Sequence, residues 1–510
     1  MFFLYKVSVQ ADAFFYFCAK SNSTMELFEK IRKNIVGNDA LLKTPYGEFP
    51  LLYADWIASG RLYRPIEERI TEIIGPWVGN THTETSATGT LMTHAYNYAR
   101  SMIKKHVNAS QDDVFLPVGF GMTAGINKLQ RILGLKYCSK IRHLSNCLDT
   151  DERPVVLISH MEHHSNHTSW YETAADVVVV PPGKDLLVDL NHLEEELKKY
   201  KNRRIIASFS AGSNVTGIET PIHEMAALVH KYGGVCFADY AATAPYCDIN
   251  MHPHGKSEEY LDGIFFSPHK FLGGPGSSGV LIFNKNLYHN IAPDNPGGGT
   301  VEWTNPWGEY RYIDDIEVRE DGGTPGFLQT IRTALAISLK EQMGTKAIHD
   351  AEEVLLKRAF SEFDKMKGIH VLATEHRKRI GVISFYHEKM HYNLMVKLLN
   401  DRYGVQVRGG CACAGTYGHY LLDVSYEKSK HITDLINHGD LSQKPGWVRL
   451  SLHQTMTFQD VDYICNAINE IIDNYSKWEK DYNYDLRKND FVHKSGKSTF
   501  TNVHDWFEFN

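Results

Sequence analysis

The sequence predicts an α/β fold, with a large domain around a mostly parallel central sheet and a smaller C-terminal α+β domain. Three observations predict it. Between about 110 and 290, short apolar runs alternate with helical segments. The runs at 155–159, 177–180, 205–209, 235–238, 264–266 and 280–283 are continuous and rich in branched residues, as strands covered on both faces require. The 510 residues also exceed what one core usually holds. The expected division is an N-terminal extension at 1–24, a segment at 25–110 packing on the small domain and active site, a large domain at 111–340, a small domain at 341–485 and a tail at 486–510.

Taken in order, the first twenty residues are apolar but interrupted by Lys6, Gln10, Asp12 and Lys20. They make a poor membrane span and a poor secretory signal. Residues 25–110 read as largely helical, with Pro65 in the first turn of one helix. Thr220-Pro221-Ile222 opens a helix that ends near Gly233-Gly234. Residues 291–330 are rich in glycine, proline and aromatics and read as an active-site or interface loop region. A helix is expected from about 327 to 366, then a strand from Ile380 to Tyr386. Thr457, with Asp460 three residues on, signals the start of the last long helix, whose apolar face runs through Val461, Ile464, Ile468, Ile471 and Ile472. The tail carries no clear assignment.

Composition narrows the function. A net charge of −7 offers no general attraction to nucleic acid or anionic membrane. Eight cysteines in a chain this long do not form a disulfide framework. They point to a reducing, cytoplasmic setting, with an organelle as the alternative. No stretch approaches eighteen uninterrupted apolar residues, so no membrane partner is expected.

The chemistry centres on Gly263-Ile264-Phe265-Phe266-Ser267-Pro268-His269-Lys270, a short apolar run ending in a lysine. A lysine at the end of a buried strand is costly without a partner or a chemical use. One use is an imine to an aldehyde cofactor; the plainer reading is a surface lysine in a turn. Asp239 ends the run 235–238. A carboxylate there can bind a metal, cap a helix or hold a pyridinium nitrogen. Together the two supply what pyridoxal 5′-phosphate needs: a carboxylate to keep the ring nitrogen protonated and a lysine to carry the aldehyde. Gly119 to Asn127 offers glycines and a hydroxyl ahead of a helix, a phosphate cradle. His160, His163 and His164 lack zinc-site spacing, so no metal is expected.

Several stretches, read in order, resemble the class V aminotransferase family of fold-type I pyridoxal-phosphate enzymes, and within it the cysteine desulfurase and selenocysteine lyase group. They are Met161-Glu162-His163-His164-Ser165-Asn166, Ser213-Asn214-Val215-Thr216-Gly217, Asp239-Tyr240-Ala241, Ser267-Pro268-His269-Lys270, Gly323-Thr324-Pro325, Arg408-Gly409-Gly410-Cys411-Ala412-Cys413 and Arg449-Leu450-Ser451. The resemblance runs from about 50 to 475. It implies that Lys270 holds the cofactor and shuttles the Cα proton, Asp239 pairs with the ring nitrogen, His163 stacks on the ring and Ala241 packs on its other face. It places Gly121, Met122, Thr123, Ser267 and His269 at the phosphate. Thr324 would reach the phosphate of a neighbouring subunit, which implies a homodimer. Asn214, Arg449 and Arg408 lie where the substrate carboxylate would be held, a task suited to a guanidinium. Cys413 sits where the family's sulfur-accepting cysteine stands. The implied reaction removes sulfur from L-cysteine, leaving L-alanine and a persulfide for a sulfur-acceptor protein.

The sequence departs from the family pattern at three places. Ala242 stands where a glutamine is usual, Met122 replaces a threonine, and Val78-Gly79-Asn80-Thr81-His82-Thr83 lacks the expected His-Arg pair. These keep open a class V aminotransferase, or a lyase or epimerase acting on another amino acid.

Overall fold

The computed structural model describes residues 26–81, 83–119, 121–136, 152–496 and 503–509. The expected extension at 1–24 lies outside the described residues. A hairpin of β1 (Leu41–Thr44) and β2 (Gly47–Pro50) comes first, followed by β3 (Leu52–Tyr53). The central sheet is then built from β4 (Asp113–Val118), β5 (Val155–Ser159), β6 (Asp176–Val180), β7 (Ile205–Ser210), β8 (Val235–Asp239), β9 (Gly263–Phe266) and β10 (Gly279–Asn284). Its order is β4-β10-β9-β8-β7-β5-β6. Within it, β10 runs antiparallel to both β4 and β9, and the other pairs are parallel.

The continuous apolar runs are strands for the reason expected. Val155 and Leu157 face one hydrophobic cluster with Ile103, Phe209 and Ile264, while Val156 and Ile158 face another with Ile126, Trp170 and Phe265. Both faces are therefore covered, and alternation disappears from the sequence. The strand β4 escaped the apolar-run reading because it opens with Asp113 and contains Pro117. It sits at the sheet edge, where a proline costs no ladder bond on the open side.

After β11 (Val301–Thr304) and β12 (Tyr310–Tyr312), a second sheet forms from β13 (Ile369–Val371), β14 (Val382–His387), β16 (Arg408–Gly410) and β17 (Trp447–Ser451), in the order β13-β14-β17-β16. Between β14 and β16 lies β15 (Val405–Gln406), which pairs in parallel with β3. The early segment is helical at 26–33, 64–77 and Ala87–His106, as expected, but also carries the three short strands β1, β2 and β3. Its strands are too short to read locally, because their partners lie far along the chain. The single helix expected near 327–366 is two, Phe327–Met343 and Thr345–Phe363, separated at Gly344 with φ 78°. A hairpin of β18 (Tyr482–Asp485) and β19 (Asp490–His493) spans the expected start of the tail.

The last long helix, Phe458–Trp478, starts as the sequence predicts. Asp460 N–H donates to Thr457 Oγ1 at 3.2 Å, and Thr457 N–H donates to Asp460 Oδ2 at 2.7 Å. Arg32 also donates to Asp460, so the cap ties the early segment to the small sheet's helix. Thr457→Ala should lower stability by about 1 kcal/mol. A lower heat-denaturation midpoint with unchanged cofactor binding checks this.

Candidate active site

Three strand ends converge. In parallel sheets ligands bind beyond the carboxyl ends of the strands. Asp239 ends β8, Lys270 follows β9 by one short turn, and Glu162 follows β5. Asp239 is buried, and its Oδ1 accepts from Ala241 N–H at 2.8 Å. Burial pushes its carboxyl up to about 7; the Ala241 N–H and the Lys270 charge pull the other way, and Glu162 adds to the rise. Glu162 is itself buried and accepts from Ser159 Oγ (2.6 Å), Ser210 N (2.9 Å), Ser210 Oγ (2.7 Å) and Asn166 Nδ2 (2.6 Å). Burial lowers the Lys270 amine to about 8, with Asp239 opposing and Arg449 and Arg408 reinforcing. No hydrogen bond or ion pair joins Lys270 Nζ to another group among the described residues. The plain reading of a surface lysine in a turn is therefore corrected, because the side chain is half-buried beside a buried carboxyl.

The Lys270 turn is held from below by the early segment. Gly60 N–H donates to His269 O at 2.9 Å. A Cβ at Gly60 would stand 1.9 Å from Phe271 O, so only glycine allows this approach. His163 caps the helix His164–Tyr171, and its Nδ1 accepts from Ser165 N–H at 3.1 Å. Burial and the Lys270 charge hold this imidazole neutral, down to about 4. With Nδ1 accepting, the ring proton sits on Nε2.

A second cluster sits at the start of the helix Gly121–Ile132. Gly121 has φ 63°, and a Cβ there would meet Ser267 Oγ at 2.6 Å. Met122 N–H donates to Ser267 Oγ at 2.9 Å, and Thr123 Oγ1 lies 2.7 Å from Ser165 Oγ. His269 stands close by, kept neutral by burial and by Lys270. Free backbone N–H groups at a helix start, ringed by hydroxyls, suit a phosphate.

The third cluster joins the two sheets. Arg449 on β17 is opposite Arg408 on β16. Arg449 Nη1 donates to Asn214 O at 3.2 Å, and Asn214 Nδ2 donates to Ala412 O at 2.8 Å. The next residue is Cys413, which is exposed. Cys411 O accepts from Ala414 N–H at 3.1 Å, with Ala412 at φ 51° and Cys413 at φ 57°. Two successive left-handed residues that are not glycine cost roughly 1–2 kcal/mol each. Tethers hold the turn: His164 N–H donates to Cys413 O at 2.8 Å and Gly415 N–H to His164 Nε2 at 3.1 Å.

The sequence-predicted residues thus gather, except Thr324, which is exposed in the loop 322–326 with no contact to this cluster among the described residues. Asp55 was missed. Its Oδ1 lies 2.8 Å from Arg449 Nη2 and its Oδ2 3.2 Å from Arg408 Nε. Only long-range pairing of the early segment brings it there. Glu162 was also missed as a carboxylate, because its role depends on Ser210 of a distant strand. Ala242, where a glutamine was expected, packs in an apolar cluster with Tyr246 and Leu272. Among the described residues no group of His, Cys, Asp and Glu is placed to hold a metal ion. No described helix is long and apolar enough to cross a membrane.

A partnerless lysine amine beside a buried carboxyl, with a neutral imidazole and a phosphate-binding helix start nearby, fits pyridoxal 5′-phosphate. Fold and site define a pyridoxal-phosphate-dependent enzyme. The sequence pattern of class-V aminotransferases matches residues 52–464, and the chain belongs to that family. Among its relatives, a probable cysteine desulfurase of Halalkalibacterium halodurans is 27% identical over 373 residues, covering 72% of this chain and 84% of the relative. One from Staphylococcus aureus is 25% identical over 368 residues, covering 71% and 83%. The cysteine desulfurase of Thermococcus onnurineus shares the fold with a TM-score of 0.68 at 20% identity, over 88% of this chain and 98% of its own. Cysteine desulfurase CsdA of Escherichia coli gives 0.64 at 22%, over 83% and 96%.

A neutral amine is needed to capture an aldehyde, and the Lys270 amine loses its proton near pH 8 rather than at 10.5. Capture of pyridoxal 5′-phosphate by cofactor-stripped protein should therefore quicken as pH rises through about 8 and level off above it. Stopped-flow absorbance across pH checks this; a rate still climbing towards 10.5 would contradict it.

Proposed function

We propose that this enzyme is a cysteine desulfurase: it removes sulfur from L-cysteine, leaving L-alanine and a persulfide on Cys413. The observation that carries the reading is the exposed Cys413, presented by a left-handed turn tied to His164 and Asn214, beside Arg449. The printed names of the relatives support the same reading.

Bound pyridoxal phosphate supplies an electron sink for bonds at the substrate Cα. Asp239 would hold the ring nitrogen protonated, with the buried Glu162 close by. His163 offers an apolar ring face with its proton on Nε2. Gly121, Met122, Thr123, Ser267 and His269 receive the phosphate. Arg449, with Asn214 and Arg408, binds the substrate carboxylate. The Lys270 amine, of lowered basicity, takes the Cα proton and returns it. The Cys413 thiolate attacks the substrate Sγ: the Sγ–Sγ bond forms, the Cβ–Sγ bond breaks, and Cβ gains a proton to leave alanine. The persulfide sulfur then passes to a thiol of a sulfur-acceptor protein.

The reading extends to assembly. The loop region 291–326 exposes Ile291, Trp303, Trp307 and Tyr310 alongside Thr324. Contiguous exposed apolar side chains favour a covered face, and a homodimer with Thr324 serving the partner's phosphate accounts for them. The division stays at 25–110, 111–340, 341–485 and 486–510; distinct apolar clusters at the two sheets support separating the large domain from the small one, and residues 28–66 pack into the small sheet's cluster. Free cysteines at five described positions suit a reducing cytoplasm.

The apolar setting of Ala242 favours a second reading, transamination or another lyase reaction. One assay separates them. Holoenzyme with L-cysteine and a dithiol should release alanine and sulfide, and Cys413→Ser should lower that release at least ~100-fold while keeping the visible cofactor band. Full release by Cys413→Ser, or exchange with a keto acid in place of alanine release, would overturn the desulfurase reading.

A further inference from the structure

The arginine pair already holds a carboxylate of its own. Asp55 Oδ1 meets Arg449 Nη2 at 2.8 Å, and Asp55 Oδ2 meets Arg408 Nε at 3.2 Å. The contact is not a loose surface pairing. Ser451 N–H donates to Ala54 O at 2.7 Å, Asp55 bridges Ser451 in parallel, and Ala58 N–H donates to Asp55 O at 3.0 Å. The backbone around Asp55 is therefore fixed against β17. Arg449 is buried, and its Nε has no hydrogen-bond partner among the described residues. Arg408 is half exposed.

The charges can be counted. Two guanidinium groups face one fixed carboxylate, which leaves a single positive charge for a ligand. An α-carboxylate balances it. A second carboxylate on the same ligand would approach Asp55 at like charge.

We propose that Asp55 is a specificity-determining residue, which restricts this site to amino acids with one carboxylate by neutralising one arginine of the Arg449–Arg408 pair. The inference rests on the reading of that pair as the carboxylate-binding group. Asp55 also positions Arg449, but positioning alone would weaken every amino acid ligand alike. Charge neutralisation instead changes the preference between ligands, so the preference is the quantity to measure.

The test titrates holoenzyme with L-alanine and with L-aspartate, following the visible cofactor band. Asp55→Asn should raise the preference for L-aspartate over L-alanine by roughly tenfold or more. Asp55→Glu should return it towards the wild-type value. Arg408→Gln, which leaves the Asp55–Arg449 contact in place, should shift the preference the opposite way, and carries the test should Asp55→Asn fail to fold. An unchanged preference in Asp55→Asn, with both ligands still binding, overturns the Asp55 inference alone. A wild-type band that neither amino acid shifts overturns the carboxylate-binding reading, and the inference falls with it.

Discussion

The pairing of the half-buried Lys270 with the buried Asp239 is the constraint on which the site depends. Two opposite charges at the ends of adjacent parallel strands are expensive to desolvate, and neither is held by an ion pair at contact distance. The protein lowers the cost by moving both groups towards neutrality: the carboxyl upward, the amine downward. That shift is also what the chemistry uses, because the neutral amine is the nucleophile and the carboxyl waits for a cationic ring. The surroundings reinforce it. Glu162, pushed up by its own burial against donors from Ser159, Ser210 and Asn166, adds to the rise of Asp239. Arg449 and Arg408 on the facing sheet further disfavour the charged lysine.

Around this pair the two sheets contribute different functions. The large sheet supplies the lysine, the carboxyl, the neutral imidazole of His163 and the helix start. The small sheet supplies the arginines and the cysteine turn. The early segment binds them together: Gly60 lies against the Lys270 turn, while Ala54 and Asp55 lie against β17. The turn at Ala412–Cys413 is strained, and its tethers are three hydrogen bonds, two to His164 and one from Asn214. A strained turn on weak tethers suits a nucleophile that must advance to a sulfur atom and withdraw.

Much of this was legible in the sequence. The branched apolar runs marked six of the seven strands of the large sheet, and Asp239 and Lys270 stood out as charged residues at run ends. Cys413 was marked by the resemblance of Arg408-Gly409-Gly410-Cys411-Ala412-Cys413 to the family's pattern. What was not legible shares one cause. Asp55, β3 and β15 acquire meaning only through pairing between the early segment and residues beyond 400. The edge strand β4 hid behind Asp113 and Pro117. Glu162 was in plain view within a histidine-rich stretch, but two of its donors come from Ser210 of the distant β7. Local pattern reveals burial and periodicity; it does not reveal which distant group completes a charge.

The most direct measurement is to reduce the pyridoxal-phosphate-loaded protein with borohydride, digest it and locate the modified residue by mass spectrometry. The account predicts that the cofactor is fixed to Lys270 and to no other lysine. Modification elsewhere, with Lys270 untouched, would contradict the placement of the site between β8 and β9.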